Sequence, residues 1–173
     1  MAVIRFDINS VRPTDTGSAL GQIWIEFSGR SIPSPRWNDF IVFVLDWWRR
    51  GIEDILNGAE APIPFAFMDD PYEIYAIKSG GGFMFHCIFN DKEIFSSFES
   101  DAGMRAFVDS YFTVVSAVIQ RIEQEPRWRQ TYLGSAPTLD DIKAAQPRLE
   151  SLLIKYRRQA SLANSAPKEP LTN

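Results

Sequence analysis

Between residues 63 and 98 the chain passes through four short strand-like segments, Ile63–Met68, Tyr72–Lys78, Gly82–Asn90 and Lys92–Phe98. The connectors are Asp69-Asp70-Pro71, Ser79-Gly80-Gly81 and Asn90-Asp91. Parallel neighbours need a crossover of about a dozen residues, so connectors this short predict hairpins and an antiparallel meander. The Gly82–Asn90 run places Phe83, Phe85, Cys87 and Phe89 on one face and Met84, His86 and Ile88 on the other. Both faces are largely apolar, which reads as a central strand covered on each side.

Two further alternating runs precede the meander. Val3–Asn9 puts Ile4, Phe6 and Ile8 on one face, and Leu20–Ser28 puts Ile23, Ile25 and Phe27 inward with Gln22, Trp24 and Glu26 outward. With turn residues from Pro13 to Ser18 between them, they read as an antiparallel pair. Trp24 on the polar face is either covered by a later element or exposed for a partner. After a loop holding Pro33 and Pro35, Asn38 reads as an N-cap, with Asp39 near the positive end of a helix dipole. Ile41, Val44, Leu45, Trp48, Ile52, Ile55 and Leu56 form a wide stripe that Phe40, Phe43 and Trp47 broaden, and Asn57-Gly58 stops the helix.

Beyond the meander, Ser100 or Asp101 opens a second helix whose stripe runs from Met104 to Ile122 and which Pro126 ends. A connector carries Arg127-Trp128-Arg129, read as anchored by Trp128. Thr138 with Asp141 then resembles a capping box opening a short helix to about Ala145. Pro147 sits at the first turn of another helix, with Leu149, Leu152, Leu153 and Tyr156. The order predicts an α+β fold: a mostly antiparallel sheet of about six strands, packed by a central aromatic-rich helix and C-terminal helices. Residues 1–159 form one domain, and 160–173 read as a flexible tail.

Charge and chemistry narrow the function classes. Residues 61–126 hold ten acids and four bases, in a chain whose net charge is −4. An acidic middle argues against nucleic acid and favours a basic partner. Thirteen Phe, five Trp and five Tyr exceed what a small core needs, so some are expected at a binding surface. One cysteine, Cys87, excludes an intramolecular disulfide and a cysteine zinc site, and it reads as buried and inert. His86, the single histidine, lies mid-strand, away from the strand ends and loops that usually carry catalysis. Asp69, Asp70 and Glu73 lack calcium-loop spacing, and nothing marks a cleft that would make them a general acid/base pair. Gly80-Gly81-Gly82 lacks the Lys, Ser/Thr and helix of a phosphate loop and reads as a hairpin turn. No catalytic, cofactor or metal constellation is complete. The N-terminus lacks the pattern of a secretory signal, and no run of about 18 apolar residues is evident, so a cytoplasmic protein away from membranes is expected.

Trp37-Asn38-Asp39-Phe40, Trp47-Trp48 and Phe67-Met68-Asp69-Asp70-Pro71-Tyr72-Glu73-Ile74 carry a resemblance. Over about residues 30–125 the chain resembles bacterial immunity proteins encoded beside polymorphic or contact-dependent toxins. Asp70 departs from the pattern, which has glycine there. The resemblance implies a non-enzymatic inhibitor that binds its cognate toxin directly, often over the active site. The surface read for that partner is Asp69, Asp70, Tyr72 and Glu73, then Asp39 and Trp24. Two alternatives stand beside it. One is a small-ligand-binding protein or small enzyme with an aromatic-lined pocket between helix and sheet. The other is a structural subunit of a larger assembly.

Overall fold

A computed structural model of the 173-residue chain describes residues 1–14, 18–68, 71–124 and 139–165, with side chains through residue 158. The fold is α+β, with two antiparallel sheets of four strands each.

The first sheet holds β1 (Ala2–Pro13), β2 (Ala19–Phe27), β3 (Arg30–Ile32) and β4 (Asn38–Phe40). β2 is central, with β1 along one side and β3 and β4 sharing the other. The β1 register shifts between Asp7 and Arg12, where Ser10 Oγ donates to Asp7 O and accepts from Gln22 N at 2.7 Å. β3 and β4 lie where the sequence suggests a loop and a helix cap. Strands of three residues separated by Pro33 and Pro35 carry no readable alternation, so eight strands in two sheets stand in place of about six.

The second sheet is the expected meander, β5 (Ile63–Ala66), β6 (Tyr72–Ser79), β7 (Gly82–Phe89) and β8 (Lys92–Ser100), in that spatial order. Its two tight turns use left-handed pairs, Gly80 with Gly81 (φ 47° and 86°) and Asn90 with Asp91 (φ 47° and 61°). That is the geometry matching strand twist in a two-residue hairpin. Gly82 is required for another reason, since a Cβ there would lie 2.2 Å from the Glu99 carbonyl oxygen.

The helices α1 (Ile41–Asn57) and α2 (Asp101–Glu123) each touch both sheets. α1 buries its expected stripe and ends at Gly58 (φ 75°), whose N–H donates to Ile55 O while Ala59 N donates to Asp54 O. Its start is different from the sequence reading. Phe40 is the cap residue, no side chain caps the helix, and Asn38 lies in β4 opposite Gln22. α2 starts at Ser100, whose hydroxyl accepts from Gly103 N at 3.3 Å. The Phe65 and Phe85 rings meet Phe107 at 5.2 Å each, Trp48 meets Phe67 at 5.1 Å, and Phe27 reaches across from the first sheet to Phe85 at 5.3 Å. Much of the aromatic surplus is therefore core, with rings packed edge to face on one another. α2 is also long and apolar enough, at mean hydropathy 1.2, to meet the length and composition of a membrane span, contrary to the sequence expectation. Its apolar stripe, including Met104, Phe107, Tyr111 and Val115, packs into this core.

A third helix, α3 (Leu139–Ser165), runs without a break through Pro147, where the sequence suggests two helices. Pro147 forfeits one backbone bond. Ile142 before it and Leu149 and Leu153 after it are all buried, which holds the two halves in one rod. The helix also continues past residue 160, because Gln159 to Leu162 contain no glycine or proline to stop it. Pro126, Arg127-Trp128-Arg129, Thr138 and residues 166–173 lie outside the described part.

Candidate functional site

The acidic connector begins at a buried anchor. Asp39, 3% exposed, accepts from Phe40 N at 2.7 Å through Oδ1 and from Met68 N at 2.9 Å through Oδ2. Its carboxylate ties the start of α1 to the end of β5, so it belongs to the interior and not to a contact surface. Asp69 and Asp70 follow Met68 directly and lie outside the described residues. Past them, the Pro71 carbonyl accepts from Asn90 N at 3.2 Å, joining this corner to the β7–β8 turn. Tyr72 packs on Phe89 at 4.7 Å and edge-on to Trp37 at 6.4 Å, which leaves it half-buried. Glu73 is exposed and accepts from the Tyr75 hydroxyl at 2.9 Å. That bond, then partial burial and the carboxylate's charge, push the Tyr75 phenol above its ordinary value.

Strand register carries the corner into a wider face. Ile74, Ala76, Phe85 and Cys87 point inward and are buried, so their neighbours in the alternation point outward. Glu73, Ile88 and Glu93 form one row across the sheet, Tyr75, His86 and Ser96 the next, and Ile77, Met84 and Phe98 the third. Both α1 and α2 pack on the opposite face, through contacts such as Phe85 to Phe107 and Gly51 to Phe65. The second apolar face of β7 thus has no cover among the described elements, where the sequence pattern implied cover on each side. Phe98 is 49% exposed and Ile94, in the register shift of β8, is 36% exposed. Glu73 and Glu93 supply the charge in these rows, which contain no Lys or Arg, and Glu93 Oε2 meets His86 Nδ1 at 2.6 Å. His86 is thus a partly exposed, hydrogen-bonded group in the middle of a sheet face. A sheet face with an apolar row at one end, carboxylates at the other and no Lys or Arg in its rows is suited to a protein partner carrying bases beside an apolar patch.

The sequence-named residues divide accordingly. Tyr72 and Glu73 sit at one corner of this face, Asp39 lies beneath it, and Trp24 is elsewhere. Trp24 stands on the outer side of β2 opposite Arg5, half-buried, and its Nε1 is enclosed without an acceptor among the described residues. Ile94, Phe98, Tyr75 and Glu93 were not singled out from the sequence. The signal for them was the apolar second face of the meander.

Among the described residues no group of three or more His, Cys, Asp or Glu could hold a metal ion. Cys87 is fully buried, and burial pushes its thiol up to about 12, with the Arg30 charge pulling the other way. A thiol reagent at pH 8 is expected to leave the native protein unlabelled and to label it fully in urea; rapid native labelling would contradict the burial. The sign for stability follows. The unfolded thiol ionises near 9 and the folded one near 12, so this contribution is intact below pH 9 and is lost as pH rises toward 12.

Comparison with known protein families, with curated proteins and with solved structures finds no match to this chain.

Proposed function

We propose that this chain is a non-enzymatic inhibitor, an immunity protein that neutralises a cognate bacterial toxin in the cytoplasm by binding and covering it. One observation carries the reading most: the outward face of the β5–β8 sheet, where the row of Ile77, Met84 and Phe98 is followed by Tyr75, His86 and Ser96 and then by a row flanked by Glu73 and Glu93, with no Lys or Arg in any of the three. The similarity of the Trp37–Phe40 and Phe67–Ile74 segments to toxin-linked immunity proteins supports it from the sequence side. Acidic side chains steer a basic toxin domain into encounter, and the apolar row of Ile77, Met84 and Phe98 supplies the affinity once water is excluded.

The test is co-expression with the protein encoded immediately upstream, scored by rescue of growth and by recovery of a complex. Reversing the charge of Asp69, Asp70 and Glu73 to lysine is expected to weaken binding about tenfold or more and to flatten its salt dependence. The melting temperature is expected to stay within about 2 °C, as for surface substitutions. A large loss of thermal stability would instead make the acidic connector a structural turn.

A further inference from the structure

The five strands on the sheet borders are treated very differently. β1 is covered: Ile4 N donates to Ser110 Oγ at 2.8 Å, and α2 lies against the strand. β3 and β4 are three residues each and are separated by Pro33 and Pro35. β5 has four residues, contains Pro64, and gives its Ala66 carbonyl to Trp48 Nε1 at 2.8 Å. These are the usual ways of keeping an edge from pairing with another chain. β8 departs from all of them. It is nine residues long, has no proline, and pairs only with β7 among the described strands.

We infer that β8 is a docking edge, which an extended segment of a basic partner protein joins as a fifth strand of the meander sheet. This rests on the protein-binding reading above and names how that binding occurs. Backbone pairing along the edge would supply affinity, and side chains alternating along the added strand would supply specificity. Ile94 and Phe98 offer that strand apolar contacts on the outer face, with Ser96 between them. Charge selects the partner. Asp91, Glu93 and Asp101, all exposed, stand at the two ends of the strand. Of the nearby positive groups, Lys92 is the first residue of β8, Arg30 lies on the inner side stacked over the Phe95 ring at 5.0 Å, and the N-terminal ammonium is paired with the buried Glu99 at 3.2 Å. An incoming strand with bases at its ends and apolar residues in the middle is complementary to this edge. A second copy of the chain is not, because antiparallel self-pairing about Ser96 sets Asp91 against Asp101 twice.

The experiment uses the full chain and the upstream-encoded protein, with amide hydrogen exchange of residues 92–100 followed in the free chain and in the complex. The expected result is strong slowing in the complex for the β8 amides that exchange readily in the free chain. The double variant Ile94→Lys/Phe98→Lys, changed only at exposed positions, is expected to bind about a hundredfold more weakly and to unfold at nearly the wild-type temperature. A complex with unchanged β8 exchange and undiminished binding by the double variant would overturn the edge assignment while leaving the inhibitor reading standing. Failure of the wild-type chain to bind or rescue would remove the inhibitor reading and this inference with it. Dimers of the free chain protected along β8 would also overturn it, since a second copy would then occupy the edge.

Discussion

Trp48→Ala is expected to destabilise the protein by about 5 kcal/mol, near the upper end for a single core substitution. Three losses combine. The indole is fully buried, so truncation removes its transfer energy and leaves a cavity. Its rings contact Phe65 at 6.3 Å and Phe67 at 5.1 Å, both edge-on, and these contacts vanish. Its Nε1 is the donor to the Ala66 carbonyl, which would lose that partner at a cost of about 1–3 kcal/mol. In a chain of this size each kcal/mol moves Tm by about 2–4 °C, so the melting temperature should fall by about 10–20 °C. Trp47, only half-buried, is the internal control, and Trp47→Ala is expected to cost about 1–2 kcal/mol. Thermal unfolding followed by circular dichroism decides the matter. If the two variants melt alike, the packing of α1 on β5 is not organised by Trp48.

That contrast bears on what could be read without coordinates. Trp47 and Trp48 are adjacent letters, and the helical period assigned them to the edge and the centre of the stripe, as found. The meander was equally legible, because its connectors allow little but hairpins and its glycines mark left-handed turns. Periodicity fails where the deciding contact is remote or absent. An apolar strand face looks the same whether a helix covers it or nothing does, so the face of Met84, His86 and Ile88 reads as covered. The bare face that resulted is now the centre of the functional proposal. Pro147 misled in the opposite direction. A local helix-start signal was overruled by burial of Ile142, Leu149 and Leu153 on a single rod.

Asp39 is the instructive case, since the sequence placed it on the partner surface and the structure places it in the interior. Asp39→Ala is expected to cost about 3–5 kcal/mol, from two hydrogen bonds to a buried carboxylate and the two backbone donors left facing no acceptor. The donors are Phe40 N at 2.7 Å and Met68 N at 2.9 Å, the latter 29 residues away in sequence, which is why no local pattern announces it. Asp39→Asn keeps the shape but can turn only one oxygen toward the two N–H groups, so it should recover only part of the loss. Binding should fall as well, through a looser path for the segment leading to Tyr72 and Glu73 and not through a lost contact. The two readings separate in one pair of measurements. A surface role predicts weaker partner binding at unchanged Tm, whereas the clamp predicts a lower Tm for Asp39→Ala whether or not the partner is present. Finding full thermal stability in Asp39→Ala would return the residue to the contact surface, and it would remove the link between α1 and the acidic corner on which the shape of that corner depends.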